Sequence, residues 1–212
     1  MTQKFYFHDA TSSDTGTLPS SVLLTGHSLD TTAATAATNR TMDGTIGSSQ
    51  VTISLSATGG FNANWFRRFI SAPLAAGSVS AANWTYSIAG KATTTGNSFM
   101  VGLFQWRPST GIKIATIIAF QSAGTLTTSE ANFSTAISGA SFTLVVGDIL
   151  VVEIYESDNT TSTDSFFYDG TTEGSITSNA GFLNAPVDIP LVGAAPNPPL
   201  RRYPNPWELL PL

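Results

Sequence analysis

The chain is 212 residues long, 42% hydrophobic and only 11% charged, with a formal net charge of −5 and nine Lys and Arg residues in all. A length of this order fits one generous all-β domain with appendages, and so sparse a basic complement excludes the broad electrostatic footprint that phosphate backbones require. There is no cysteine, which excludes disulfides, thiolate metal sites and cysteine nucleophiles.

Lys4-Phe5-Tyr6-Phe7, an aromatic run closed by His8-Asp9, reads as a first strand. The opening segment lacks the apolar stretch of a secretory signal, and no run approaches the ~18 apolar residues of a membrane span. Val22 to Leu24 is a second short apolar run, and Asp30 to Thr38, nearly all Thr and Ala, reads as an exposed loop or edge. Gln50 to Ser56 alternates strictly and puts Val51, Ile53 and Leu55 on one face, as a half-buried strand does. Trp65 to Ile70 follows and is closed by Pro73. Trp84, Tyr86 and Ile88 share one face of another alternating strand. Phe99 to Trp106 and Ile112 to Phe120, separated by R-P-S-T-G, form a hairpin with proline early and glycine late in its turn. Phe142, Leu144 and Val146 alternate, and Ile149 to Tyr155 is apolar on both faces, as a central strand is. Phe166 to Tyr168 precedes the turn Asp169-Gly170, and Ile176 to Leu183 is the last strand region.

About eight or nine strands, with no amphipathic helical pattern, predict an all-β fold: a two-sheet antiparallel β-sandwich, jelly-roll-like, over residues 1–185. Eight of the eleven prolines fall within residues 186–212, which no sheet accommodates and which favours an extended arm. That arm is too apolar for a solvated tail. Leu200, Arg201, Arg202, Tyr203, Trp207, Leu209 and Leu210 are its candidate partner-binding residues, with Trp207 the aromatic anchor.

Chemistry-bearing residues are few. His8 and His27 lie near turn-forming sequence, and no G-x-S-x-G elbow or phosphate-binding glycine motif occurs. Glu153 and Glu156 stand three apart on a strand and so point to opposite faces, unlike a glycosidase pair. Asp158, Asn159, Asp164 and Asp169 offer oxygen ligands without EF-hand spacing, and the expectation is solvated loop carboxylates, with a structural calcium left open. Trp65, Trp84, Trp106 and Tyr155 make either a sugar-stacking platform or, as is commoner in alternating strands, core. Local ion pairing is the expectation for Arg67-Arg68 and Arg201-Arg202. The reading at this point is a chain that is not an enzyme and carries no cofactor.

Several segments resemble a family of proteins encoded by tailed bacteriophages and related elements: F-H-D-A from Phe7 with G-T-L-P from Gly16, N-R-T-M-D-G-T-I-G-S-S-Q from Asn39, N-W-F-R-R-F-I-S-A-P-L-A-A from Asn64, W-R-P-S-T-G from Trp106, G-D-I-L-V-V-E-I-Y from Gly147 and F-Y-D-G-T-T-E from Phe167. The resemblance implies a virion structural protein made in the host cytoplasm, a capsid decoration or head-associated protein that binds neighbouring virion proteins, with homo-oligomers, a trimer among them, expected. It brings no catalytic residues with it. The alternative is a tail-associated receptor- or carbohydrate-binding module. Neither nucleic acid nor membrane is expected as a partner.

Overall fold

The structure is a computed structural model that describes residues 3–11, 18, 39–58, 64–157, 159–175 and 177–189. Thirteen strands are defined among them: β1 Lys4–Thr11, β2 Asn39–Asp43, β3 Val51–Thr58, β4 Asn64–Ser71, β5 Gly77–Val79, β6 Ala82–Ala92, β7 Ser98–Arg107, β8 Ile112–Thr125, β9 Ala131–Gly139, β10 Phe142–Leu144, β11 Ile149–Glu156, β12 Thr161–Tyr168 and β13 Phe182–Asn184. The described residues contain no helix, and so none that is long and apolar enough to cross a membrane.

Eleven strands join one large sheet in the order β3-β12-β6-β13-β1-β2-β4-β11-β7-β8, with β9 on the other side of β6, while β5 and β10 form a separate ribbon. The eleven-residue β6 serves two neighbours along one edge, β13 through Thr85 to Ser87 and β12 through Ala89 to Ala92. One pairing departs from the antiparallel expectation: β2 runs parallel to β4, Asn39 opposite Arg68 through Met42 opposite Ser71. Twenty residues, β3 among them, separate β2 from β4 (44–63), and a crossover of that length permits parallel pairing. The sheet is therefore mixed.

Periodicity decides which side chains are inside. Trp84, Tyr86 and Ile88 are fully buried on one face of β6, as their alternation requires. Val51, Ile53 and Leu55 are half-buried against the same core, with Thr52, Ser54 and Ser56 exposed. The β7–β8 hairpin forms where expected, and its turn places Gly111 at φ 67°, a left-handed conformation that a β-carbon strains. β11 lies between β4 and β7 and is buried along its whole length. Its even-numbered residues Leu150, Val152 and Ile154 join the main core, whose aromatic centre stacks Phe7 on Phe69 at 4.3 Å and Phe166 on Tyr168 at 5.1 Å. Ile149 and Val151 point the other way and form a second apolar cluster with Ile70, Phe104 and Trp106, against which Leu18 packs.

Candidate functional site

In a chain so poor in charge, the places where ionisable groups gather stand out, and the described residues hold three such junctions on the large sheet. The densest is built on β1. Its register with β2 slips between Phe7 and Thr11, leaving His8, Asp9 and Ala10 opposite a single residue, Thr41, and an irregularity of this kind re-aims side chains. His8 Nδ1 lies 3.1 Å from Asp169 Oδ1, and its Nε2 lies 3.2 Å from Asp43 Oδ1. The Asp9 amide donates to the other Asp169 oxygen at 3.0 Å. Asp169 has φ 62°, rare for a residue that is not glycine, and its backbone is held there by bonds to Ala180 and Ser49.

On the adjoining side, Arg40 Nε donates to Asp9 Oδ1 at 2.8 Å, the Tyr168 hydroxyl donates to the same oxygen, and Arg67 Nε reaches the Tyr168 oxygen at 3.4 Å. Burial would push the Asp9 carboxyl up, but the bonds from Tyr168 and Arg40 and the charges of Arg40 and Arg67 outweigh it and hold the group below the usual carboxylate range. Asp43 is likewise held low: burial is outweighed by the Thr45 hydroxyl and amide and by His8. Burial, helped by the bond to Asp9, pushes the Tyr168 phenol up to about 12.

The second junction lies beside the second apolar cluster, on the same face of β4 and β11. Arg68 donates from Nε and Nη2 to Glu153 Oε1 at 2.8 and 2.6 Å and from Nη1 to Asn39 Oδ1 at 3.4 Å, while the Tyr155 hydroxyl donates to Glu153 Oε2. Arg68 is 3% exposed and Glu153 is fully buried, so this pair works without water to screen it. Burial raises the Glu153 carboxyl despite Arg68, and burial with the neighbouring Glu153 raises the Tyr155 phenol. In the third junction Arg107 grips buried Asp148 with two bonds, 2.7 and 2.9 Å, and Gln105 and the Val145 amide complete the carboxylate's shell. These donors hold Asp148 low against the upward push of burial.

Most residues of the three junctions share an origin, with Gln105 and Val145 outside it. His8 and Asp9, Asn39, Arg40 and Asp43, Arg67 and Arg68, Arg107, Asp148, Glu153 and Tyr155, and Tyr168 and Asp169 all come from the segments on which the phage-family resemblance rests. Those segments are dispersed along the chain, and the sheet brings them together.

Other expected sites resolve differently. Trp84, Trp106 and Tyr155 are buried, as core packing requires, and so form no exposed sugar platform. Arg68 makes the ion pair foreseen for its doublet. The expectation of solvated loop carboxylates is corrected: Asp164 lies on β12, fully buried, and accepts from Asn97 Nδ2 at 2.6 Å, and Asp169 belongs to the His8 junction. Residue parity held the signal for Asp164, since 164, 166 and 168 share the face that carries Phe166 and Tyr168. The arm residues Leu200, Arg201, Arg202, Tyr203, Trp207, Leu209 and Leu210 lie outside the described residues, as do His27 and Asp158 and the side chain of Trp65.

No family model matches the chain, and no curated protein does. Among solved structures it is similar to a CocE/NonD family hydrolase from Staphylococcus aureus in two crystal structures, one at TM-score 0.54 and 6% identity over 87% of this chain, the other at TM-score 0.54 and 8% identity over 89%. The chain spans 36% of the hydrolase's length in each. The expectation that the chain is not an enzyme is corrected to this extent: both of these matched structures are of a hydrolase. At 6–8% identity the likeness shows the fold alone.

Proposed function

We propose that the chain is a tailed-bacteriophage virion component, a β body that decorates or joins a capsid or head-associated surface and reaches neighbouring virion proteins through residues 186–212. The observation that carries this reading is that most of the ionisable side chains of the three junctions lie in the segments that resemble the phage family. The body is read as the large sheet folded over into two layers in a jelly-roll-like manner. In support, Trp84 and Tyr86 of β6 share one core cluster with Phe69 of β4, Leu103 of β7 and Val152 of β11, strands distant from β6 in the sheet order. Immunogold electron microscopy of purified particles tests the function. Labelling at regular positions is expected, and absence of the chain from particles would sink the proposal. Deleting residues 190–212 should leave a folded body that no longer joins the particle.

A second reading is favoured by the solved structures: the chain as a β-rich companion of a hydrolytic partner, since it matches only about a third of a longer hydrolase. Recovery of the chain in complex with a hydrolase, and not in particles, would select it.

A further inference from the structure

A long sheet must end somewhere, and its two ends are built differently. At one end β8 departs from regular register with β7 at four places and carries Lys113, and its bulges and charge are the usual guards against stray pairing. β9 also approaches it, with the Ala140 amide donating to the Ile117 carbonyl and the Thr135 hydroxyl to that of Ala123. At the other end, β3 reads V-T-I-S-L-S-A-T. It has no charge, no proline and no register slip over eight consecutive pairs with β12, and among the described residues β12 is its one hydrogen-bonded neighbour. Its apolar residues Val51, Ile53 and Leu55 are only half-buried. Among the described residues none of the usual guards is present on this edge.

We propose that the edge of β3 left unpaired among the described residues pairs with β3 of a second copy of this chain, antiparallel about a two-fold axis at Ser54, joining two sheets into one. Antiparallel partners directly opposite one another share a face. Centring on Ser54 sets Ile53 opposite Leu55, Val51 opposite Ala57 and Thr52 opposite Ser56, so apolar meets apolar on the core side and hydroxyl meets hydroxyl outside. The contact is isologous and closes at two copies. Main-chain bonds supply the affinity, as in strand addition generally. The proline-rich segment 186–212 is a poorer occupant: its longest proline-free stretch is Leu191 to Ala195, and proline cannot donate to a ladder.

The test uses the full chain in sedimentation equilibrium and oxidative cross-linking. Wild type should sediment as a dimer. The variant Thr52→Lys/Ser56→Lys, which brings like charges opposite one another at exposed positions, should show half that mass with an unchanged circular dichroism spectrum. Mixing it with Thr52→Glu/Ser56→Glu should restore the dimer. Because the chain has no cysteine of its own, Ser54→Cys should form a covalent dimer on mild oxidation and Ser56→Cys should not. A monomeric wild type, a dimer or trimer that survives the paired lysines, or equal cross-linking at both cysteines would overturn the proposal.

Discussion

Replacing Arg68 with Met removes a cation bonded at close range to a fully buried carboxylate, that of Glu153. Arg68 is 3% exposed, Glu153 is fully buried, and the two are joined at 2.6 Å. Breaking a buried pair from one side leaves an uncompensated charge and costs about 3–5 kcal/mol, whereas replacing both partners with apolar groups is often close to neutral. For a chain of this size 1 kcal/mol corresponds to about 2–4 °C in Tm, so the single variant should melt on the order of 10 °C lower. Arg68→Met/Glu153→Leu should recover most of that loss. The pH dependence has a definite sign. Burial raises the Glu153 carboxyl above its unfolded value, so the folded state binds the proton more tightly and stability falls as pH rises through the window between the two values. Without Arg68 the carboxyl rises further, and the deficit against wild type should shrink in mild acid and grow in mild alkali. Urea unfolding followed by tryptophan fluorescence measures all of this. A single-variant loss below about 1 kcal/mol, or a double variant no better than the single, would refute the argument that charge isolation and not packing governs this site.

Tyr86 is fully buried and its hydroxyl has no hydrogen-bond partner among the described residues; Tyr86→Phe should therefore be neutral or stabilising by up to about 1 kcal/mol in the same assay. Asp148 is held below its ordinary value, so it contributes stability that is present above the unfolded carboxylate pKa and lost as pH falls through the lower folded one. Asp148→Asn should accordingly lower the urea midpoint at neutral pH and flatten the acid limb of the stability profile, and an unchanged acid limb would assign that limb to other carboxylates.

Elements whose evidence is local could be read from residues alone. The alternation of Val51, Ile53 and Leu55 and of Trp84, Tyr86 and Ile88 places one face inside whatever the partner strand, and the unbroken apolar run at Ile149 to Tyr155 needs neighbours on both sides. Partner choice is another matter. Nothing local tells β2 to lie parallel to β4, or β1 to accept β13 on one side and β2 on the other, because those pairings repay their loop-closure cost only once distant strands are present. The His8 junction was hidden for the same reason: Asp43 and Asp169 stand 35 and 161 residues from His8. In Asp164 the misreading was avoidable, since a carboxylate two and four residues before Phe166 and Tyr168 shares their face.

The first strand and the last are immediate neighbours, with Lys4 opposite Asn184 and Tyr6 opposite Phe182. On the ribosome β1 therefore emerges long before the strand that will flank it, and at ~5–20 residues per second the wait is roughly 10–40 s. Throughout that interval Phe5 and Phe7, which end fully buried, have no completed interior to enter. Synthesis rate and chaperone supply, more than the finished contacts, would then govern how much of this protein a cell recovers, and a circular permutant that begins beside β13 should shorten the delay.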